Sequence, residues 1–282
     1  MNAAALAAPA TAPLIERLAA LVADEALSED YACIQARCEH GVRSAHIDTP
    51  TFGIVLRGRK RLQAVGAQAL QLCAGDMFVL TRPCQFDAFN WPDDAGLYLT
   101  ITMPICAEVI GAARMLWGEP VTQDGPEVLA LPAQRMAGPL LAWSDALRAG
   151  AYGPARAALA DMLVQLCAMG HTALLAPPPP TLAARIRALV AAQPERGWRS
   201  LDFEHALGLS GATLRRRLAA ERQSLLEVVT EARLACALQL LYTTRWPVKT
   251  VAARVGYQSA PTFVRRFSQR YGLDPAQIGN GT

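Results

Sequence analysis

Hydrophobic and polar positions follow two different periods along the chain. From about residue 31 to residue 103, short segments rich in apolar and β-branched residues are separated by Gly, Pro, Asp and Asn. Several strands at this spacing predict a small antiparallel barrel or sandwich. Within it, RGRKRLQAVGAQALQL predicts a hairpin that turns near Gly66, and a tight turn at Gly75 and Asp76 leads into the next strand.

Apolar residues at three- and four-residue spacing predict helices on both sides of this region. We expect an amphipathic helix over residues 14–27 and further helices over about 105–175. The prolines at 177–180 favour an extended spacer of roughly 12 Å, at ~3.1 Å per residue. We therefore place a domain boundary there, because 282 residues suit two cores better than one. Residues 1–176 form the first predicted domain and 181–282 the second.

The second domain contains one short pattern twice, at an offset of 49 residues. The aligned pairs are Ser210 and Ser259, Thr213 and Thr262, Leu214 and Phe263, Arg216 and Arg265, Arg217 and Arg266, and Leu218 and Phe267. A glycine precedes each serine, and serine is a favoured helix N-cap. The pattern predicts two helix-turn-helix units, with helices at 201–206 and 211–222, then 248–255 and 260–270, joined by a helix at 225–242.

The second helix of each unit has the form of a reading helix. Its repeated Leu or Phe positions point inward, while Ala212, Arg215 and Arg216 of the first face another side. Such a helix fits the major groove, where its leading turns meet the base edges. The candidates for phosphate contacts are Ser210, Arg217, Arg222, Arg254, Ser259, Arg266 and Arg270.

Charge is distributed unevenly between the two domains. Residues 1–180 carry 12 Lys and Arg against 17 Asp and Glu, whereas residues 181–282 carry 15 against 7. Basic charge on the domain with the repeat indicates a polyanionic partner. No apolar run approaches the ~20 residues that span a bilayer, and the N-terminus lacks the basic region of a signal peptide. We expect a cytoplasmic protein with no membrane partner.

Cysteine usage adds one alternative interpretation. The seven cysteines are scattered, with no C-x-x-C pair, and most are expected to be buried thiols in a reducing compartment. Cys73 and Cys84 flank one hairpin-like segment, so a redox sensor built from this pair stays open.

A metal-dependent enzyme built on the barrel would need three or more convergent ligands. The candidate ligands are Cys38, Glu39 and His40. His46 lies six residues after His40, but Gly41 predicts a turn between them. We expect no catalytic residues, no metal and no cofactor.

The second unit resembles a known signature. VKTVAARVGYQSAPTFVRRFSQRYGLDPAQI is similar to that of AraC/XylS-type transcription regulators, through Ala252, Gly256, Tyr257, Ser259, Phe263, Arg265, Phe267, Gly272 and Pro275. Arg233, Ala237, Leu240 and Leu241 also fit the family's connector helix. Upstream, PTFGIVLRGRKRLQAVGAQALQLCAGDMFVLTRPCQFDAF resembles the cupin-like N-terminal domain of one branch of this family.

The resemblance implies an α+β protein. Its N-terminal cupin-like β-barrel with flanking helices would precede an all-α domain with two helix-turn-helix units joined by a connector helix. The family's base-contacting positions correspond to Ala212, Arg215, Arg216, Pro261, Thr262 and Arg265. The implied function is that of a sequence-specific regulator that binds double-stranded promoter DNA. A small-molecule effector, a homodimer and, for an activator, RNA polymerase are the implied partners, and no effector-binding residue is indicated.

The sequence departs from the family pattern at Glu204, where a small residue is usual, at Gln223, which replaces a glycine, and at Ile278–Gly279. We therefore expect the first unit to tolerate more operator variation than the second. Two functions of other classes remain: a cupin enzyme with an appended helical domain, and a module that binds an acidic protein. A module that binds an acidic protein gives no reason for an arginine six residues after each cap serine, at Arg216 and Arg265.

Overall fold

The computed structural model describes residues 12–22, 31–122, 124–176 and 180–278. The chain divides into two compact units, Met1–Pro178 and Pro179–Thr282. The prolines at 177–179 lie outside the described residues, so the extended spacer stays a prediction.

Alternating apolar residues in the first unit form two antiparallel sheets. Their strands are β1 (Ala32–Ala36), β2 (His40–Ile47), β3 (Thr51–Arg57), β4 (Arg59–Ala64), β5 (Leu70–Cys73), β6 (Asp76–Leu80), β7 (Cys84–Trp91), β8 (Tyr98–Pro104) and β9 (Val128–Pro132). One sheet has the order β1-β8-β3-β6-β9 and the other β2-β7-β4-β5. The predicted hairpin at Gly66 is confirmed, since β4 pairs with β5 and Gly66 adopts a φ of 78°.

The two sheets enclose an apolar cluster between their facing sides. Leu62 and Ala88 of the four-stranded sheet pack with Phe78 and Tyr98 of the five-stranded sheet. The expected cupin-like architecture is therefore present as two facing sheets, and the barrel is not closed.

Helices cover the outer face of the five-stranded sheet. They are α1 (Ala12–Val22), α2 (Ala107–Leu116), α3 (Ala137–Arg148) and α4 (Tyr152–Ala168). Leu18, Trp143 and Leu163 of this layer pack against Phe52 and Ile101 of the sheet. Residues 23–27 of the helix expected over 14–27 lie outside the described residues.

One local expectation for the first unit is wrong, and one strand was not predicted. The helices expected over about 105–175 are present, but β9 lies between α2 and α3 and extends the sheet by pairing with β6. Gly41 does not turn the chain but lies within β2, where a Cβ atom would come within 2.7 Å of the ring of Phe89. The irregularity follows at a bulge between Val42 and Ala45, where Ser44 has a φ of 53°.

The second unit consists of six α-helices within its described residues. They are α5 (Leu182–Ala192), α6 (Ser200–Leu207), α7 (Gly211–Ala220), α8 (Leu225–Thr243), α9 (Val248–Arg254) and α10 (Ala260–Tyr271). The predicted caps are confirmed: the side chains of Thr181, Ser210 and Ser259 each accept a backbone N–H of the first helical turn. The helix expected over 211–222 ends at Ala220.

Candidate nucleic-acid interface

The first helix-turn-helix unit is built on α6 and α7. Gly208 ends α6 in the left-handed conformation, with a φ of 63°, and Ser210 accepts the Thr213 N–H at 3.3 Å. Leu214 and Leu218 of α7 are fully buried against a cluster that includes Phe203. The inward positions predicted from the repeat are thus confirmed, and the opposite side of α7 faces solvent.

The second helix-turn-helix unit, built on α9 and α10, repeats this geometry with aromatic residues in its core. Gly256 ends α9 with a φ of 80°, and Ser259 accepts the Thr262 N–H at 3.4 Å. Phe263 and Phe267 are fully buried. Their rings lie 5.5 Å apart in a tilted pair, and the Phe267 ring meets the Tyr271 ring edge to face at 4.9 Å.

The expected base-reading residues lie on the outer sides of α7 and α10. Ala212, Arg215, Arg216, Pro261 and Arg265 are exposed, and Thr262 is half-buried. The hydroxyl of Thr262 donates to the Ser259 hydroxyl at 3.2 Å, so part of its side chain contributes to the cap. Pro261 occupies the first turn of α10, where a missing N–H costs no intrahelical hydrogen bond. Base contacts by these six residues stay a prediction.

The candidate phosphate contacts differ in how freely their side chains are placed. Arg217 and Arg222 are exposed at the end of α7, whereas the guanidinium of Arg254 lies 5.3 Å from the centre of the Trp246 ring. Arg266 donates to the Thr230 hydroxyl at 3.4 Å. The remaining members are Arg270, which is paired with Glu231 at 3.4 Å, and the cap serines Ser210 and Ser259.

Arg233 links the loop after α5 to the turn of the second unit. Its Nε donates to the carbonyl of Pro194 at 3.1 Å, and its Nη2 donates to the carbonyl of Arg196 at 2.7 Å. The same guanidinium packs on Gly256, where a Cβ atom would lie 3.0 Å from Cζ. The sequence places Arg233 in the connector pattern but gives no sign of these distant partners.

Glu221 is a second residue whose role the sequence did not reveal. Its carboxylate accepts the N–H groups of Leu182 at 2.8 Å and Ala183 at 3.0 Å, the first two residues of α5. Thr181 accepts the third, from Ala184, at 3.1 Å. Three of the four N–H groups that a helix leaves without intrahelical partners are therefore satisfied, and the end of α7 is tied to the start of α5.

The structure accommodates the Glu204 departure. A Cβ atom at residue 211 would lie 2.8 Å from Oε1 of Glu204, so glycine at 211 makes room for the larger side chain. Ser200 donates to the same carboxylate oxygen at 2.9 Å.

The end of α7 accommodates the Gln223 departure. The N–H of Gln223 donates to the carbonyl of Leu218 at 2.9 Å. The left-handed residue that ends the helix is Arg222, with a φ of 56°. A side chain is therefore compatible with position 223.

The structure separates the two cysteines considered as a redox pair. Cys73 is exposed at the end of β5 and pairs with Arg59, which in turn pairs with Trp91 at the end of β7. Cys84 lies at the opposite end of β7, far beyond the ~7 Å Cα separation that a disulfide spans. Burial also raises the pKa of the Cys84 thiol to about 11, so a disulfide sensor from this pair is incompatible with the fold.

The candidate metal ligands do not come together. His40 is buried and faces the inside of the sandwich, whereas His46 faces outward and pairs with Asp48 at 3.0 Å. Across the described ranges, no group of three or more His, Cys, Asp or Glu side chains is placed to hold a metal ion. In the same residues, no helix is both long and apolar enough to cross a bilayer.

The paired caps, left-handed glycines and buried faces define a tandem helix-turn-helix domain. Residues 204–280 match the family model described as a helix-turn-helix domain. The virulence regulon transcriptional activator VirF of Shigella flexneri is 29% identical over 94 residues, and the dual transcriptional regulator Rns of Escherichia coli is 27% identical over 94 residues. Each match covers 33% of this chain and 36% of the relative. Over this domain the chain is similar to transcription regulators, and the match spans about a third of the length of these curated relatives.

Solved structures share the fold over most of the chain. ToxT from Vibrio cholerae strain SCE256, bound to an unsaturated fatty acid, superposes with a TM-score of 0.61 over 89% of this chain and 96% of ToxT. ToxT from Vibrio cholerae O395 superposes with a TM-score of 0.60 over 89% and 98%. The identities are 14% and 12%, so this likeness describes the fold: a β-rich unit followed by a helical one.

Proposed function

We propose that the protein is a transcription regulator that binds promoter DNA sequence-specifically through α7 and α10. The observation that carries this proposal is the repeated geometry of the two helices. Each is fixed by buried Leu or Phe side chains on one side and presents an exposed arginine, Arg216 or Arg265, at the equivalent position on the other. Arginine can read guanine through two hydrogen bonds in the major groove.

Charge and connectivity support the same assignment. The basic excess of residues 181–282 suits the phosphate backbone, which supplies most of the sequence-independent affinity for DNA. The contacts of Arg233 with the carbonyls of Pro194 and Arg196 fix the two units to each other within the domain. A fixed spacing lets two helices enter successive grooves, roughly 34 Å apart.

The N-terminal unit is proposed to sense a small molecule and to form a homodimer. ToxT, which shares the fold, was solved with an unsaturated fatty acid bound. VirF is named as a transcriptional activator, and activation would require contact with RNA polymerase. Because DNA is the proposed target, the protein is assigned to the cytoplasm.

The proposal is tested by Arg265→Ala with Arg217→Ala as its matched control. Arg265 is expected to read a base, so its loss should weaken binding to the operator by roughly 5- to 150-fold, equivalent to ~1–3 kcal/mol. Binding to random DNA should change much less. Arg217 is expected to contact phosphate, so its loss should weaken both to a similar degree.

Binding is measured by footprinting and gel shift on the region upstream of the protein's own gene, at several salt concentrations. Equal losses on operator and random DNA for Arg265→Ala would show that Arg265 touches only phosphate. Absence of salt-sensitive binding by the wild-type protein would contradict the proposed function itself.

A further inference from the structure

Two basic side chains are buried in the interior of the N-terminal sandwich. Lys60 of β4 is 3% exposed and His40 of β2 is 4% exposed, whereas Arg59 and Arg61 on either side of the lysine point outward. Water stabilises the charged forms of lysine and histidine, so burial favours the neutral form of each. A proton bound to either side chain must therefore be stabilised by hydrogen bonds inside the sheet.

Asn90 connects the two basic side chains in a row across the four-stranded sheet. The register places Asn90 of β7 opposite both Lys60 and His40. Nζ of Lys60 donates to Oδ1 of Asn90 at 2.9 Å. Because Oδ1 accepts from Lys60, it is Nδ2 of Asn90 that donates to Nε2 of His40, at 3.0 Å. The proton of the neutral imidazole is then on Nδ1, which donates to the carbonyl of Cys38 at 3.3 Å.

The hydrogen bonds of this row accommodate one extra proton. A protonated His40 would need an acceptor at Nε2, and Asn90 supplies one only by turning its oxygen away from Lys60. The amide N–H groups of Asn90 would then face Lys60, whose ammonium form accepts no hydrogen bond. The row can therefore hold a proton on Lys60 or on His40, but a proton on both breaks one of the hydrogen bonds of Asn90.

The groups that face the row from the neighbouring strands are uncharged. The rings of Phe78 on β6 and Tyr98 on β8 lie 5.7 Å and 5.8 Å from Nζ of Lys60, and burial raises the pKa of the Tyr98 phenol, so this group stays neutral. Leu72 of β5 lies opposite Lys60. The charged residues at or next to the strands of the row are exposed and do not face it; they are Glu39, Arg43, Arg59, Arg61 and Asp87. Over the part of the chain that the structure describes, no carboxylate pairs with Lys60.

Burial and charge repulsion order the two protonation steps. Burial lowers the pKa of Lys60 to about 7, whereas an exposed lysine has a pKa of about 10.4. Burial also lowers the pKa of His40, and the charge of Lys60 lowers it further, although the hydrogen bond to Cys38 acts in the opposite direction. As the pH falls through about 7, Lys60 takes up the first proton. The second proton, on His40, is resisted.

His40 lies at the start of a strand that has one paired side. In its sheet β2 is an edge strand and pairs with β7. A bulge between Val42 and Ala45 interrupts this pairing, so residues 40–42 form a short separate stretch of the ladder. Local opening of such a stretch requires less free energy than unfolding of the whole unit. Opening would place His40 in water and restore its ordinary pKa of about 6.5.

We propose that the row formed by His40, Asn90 and Lys60 is a proton-sensitive switch, in which a second proton breaks a hydrogen bond of Asn90 and releases residues 40–42 of β2 from the sheet. Below about pH 6.5 the open segment binds a proton on His40 that the closed segment resists, so each pH unit favours opening by up to ~10-fold. Above about pH 6.5 His40 is neutral in both states and contributes no pH dependence. This switch goes beyond the proposed function, because it requires neither DNA nor an effector.

The two lysines of the chain, Lys60 and Lys249, make the first protonation step visible in the full-length protein. With lysine labelled at ¹³Cε, the spectrum contains one signal from Lys60 and one from exposed Lys249, which serves as an internal control. The Lys60→Met variant assigns the two signals. Lys60 should titrate near pH 7 and Lys249 near about pH 10.4. Titration of both lysines near the ordinary value would overturn the inference.

Hydrogen exchange of the protected amides of residues 40–42 measures the second step. After correction for the intrinsic exchange rate, wild-type protection should fall up to ~10-fold between about pH 6.5 and 5.5. His40→Gln removes the second protonation site and should keep its protection. Lys60→Met lets Asn90 turn its oxygen to His40 and should also reduce the loss. His46→Gln is the matched control, because His46 lies on the same strand but faces outward and pairs with Asp48, and it should behave like the wild-type protein.

The variants give results that contradict the switch as clearly as results that support it. Wild-type protection that does not change with pH would overturn the inference. A loss in Lys60→Met as large as in the wild-type protein would also overturn it, and this variant and the lysine titration decide the question even where His40→Gln fails to fold. Equal suppression of the loss by His46→Gln and His40→Gln would assign the effect to surface charge and reject the row as its origin.

Discussion

Replacing Gly256 by alanine tests how tightly the two helix-turn-helix units are joined. Gly256 ends α9 in the left-handed conformation, with a φ of 80°, as Gly208 ends α6 with a φ of 63°. Gly208 lies two residues before its cap serine and Gly256 three before its own, and the surroundings of the two glycines differ. An added Cβ atom meets nothing within 4 Å at Gly208, whereas at Gly256 it would lie 2.8 Å from the carbonyl oxygen of Pro194 and 3.0 Å from Cζ of Arg233.

The structure gives different magnitudes for the two substitutions. An alanine in the left-handed region costs about 1–2 kcal/mol at either position, partly offset by the lower entropy of the unfolded chain. Gly208→Ala should therefore destabilise the C-terminal helical unit by about 1 kcal/mol. Gly256→Ala adds a steric clash that displaces Arg233 or the loop at Pro194, worth a further ~1–3 kcal/mol. Its total cost should be about 2–4 kcal/mol.

Native-state hydrogen exchange on the full-length protein measures both costs. Protection of the amides of α8 and α9 reports the free energy of opening in the C-terminal helical unit. Promoter binding is measured in parallel, because a displaced Arg233 would alter the spacing between α7 and α10. Equal losses of protection for the two variants would refute the assigned crowding at Gly256, since only the backbone conformation is common to both.

Two further substitutions test the junction between α7 and its neighbours. Glu221→Ala removes the acceptor of two N–H groups of α5 and should cost about 1–2 kcal/mol, measured as lost exchange protection in the first turn of α5. Glu221→Gln keeps one side-chain oxygen as an acceptor and should lose less protection. Equal losses in the two variants would argue against capping. Arg222→Gly relieves a φ of 56° and should stabilise α7 by about 1 kcal/mol, and a loss of α7 protection would show that the Arg222 side chain outweighs its backbone strain.

The elements predicted best from the sequence are those fixed by local chemistry. A hydroxyl at a helix N-terminus accepts an N–H two or three residues later, so Thr181, Ser210 and Ser259 could be assigned as caps without a tertiary model. The spacing of Phe263 and Phe267 likewise fixed one buried side of α10. These signals need only neighbouring residues, which is why the helical unit agrees closely with its prediction.

The features that the sequence did not reveal depend on partners far along the chain. Arg233 and Glu221 bind backbone groups 37 to 39 residues away, and no local pattern encodes that distance. Lys60 lies in the basic run RGRKR, which suggests an exposed segment. Strand alternation turns Lys60 inward between two outward arginines, and the bulge in β2 leaves His40 facing inward and His46 facing outward.

The first helix-turn-helix unit shows how departures from a family pattern can be locally compensated. Glu204 would crowd α7 if residue 211 carried a side chain, and that residue is glycine. Gln223 replaces a glycine, but the backbone places the left-handed residue at Arg222 instead. Both changes leave the buried contacts of Leu214 and Leu218 intact. The two units therefore differ less in the geometry of their reading helices than in what supports them, because the second unit has the aromatic contacts of Phe263, Phe267 and Tyr271 and the Gly256 contact with Arg233.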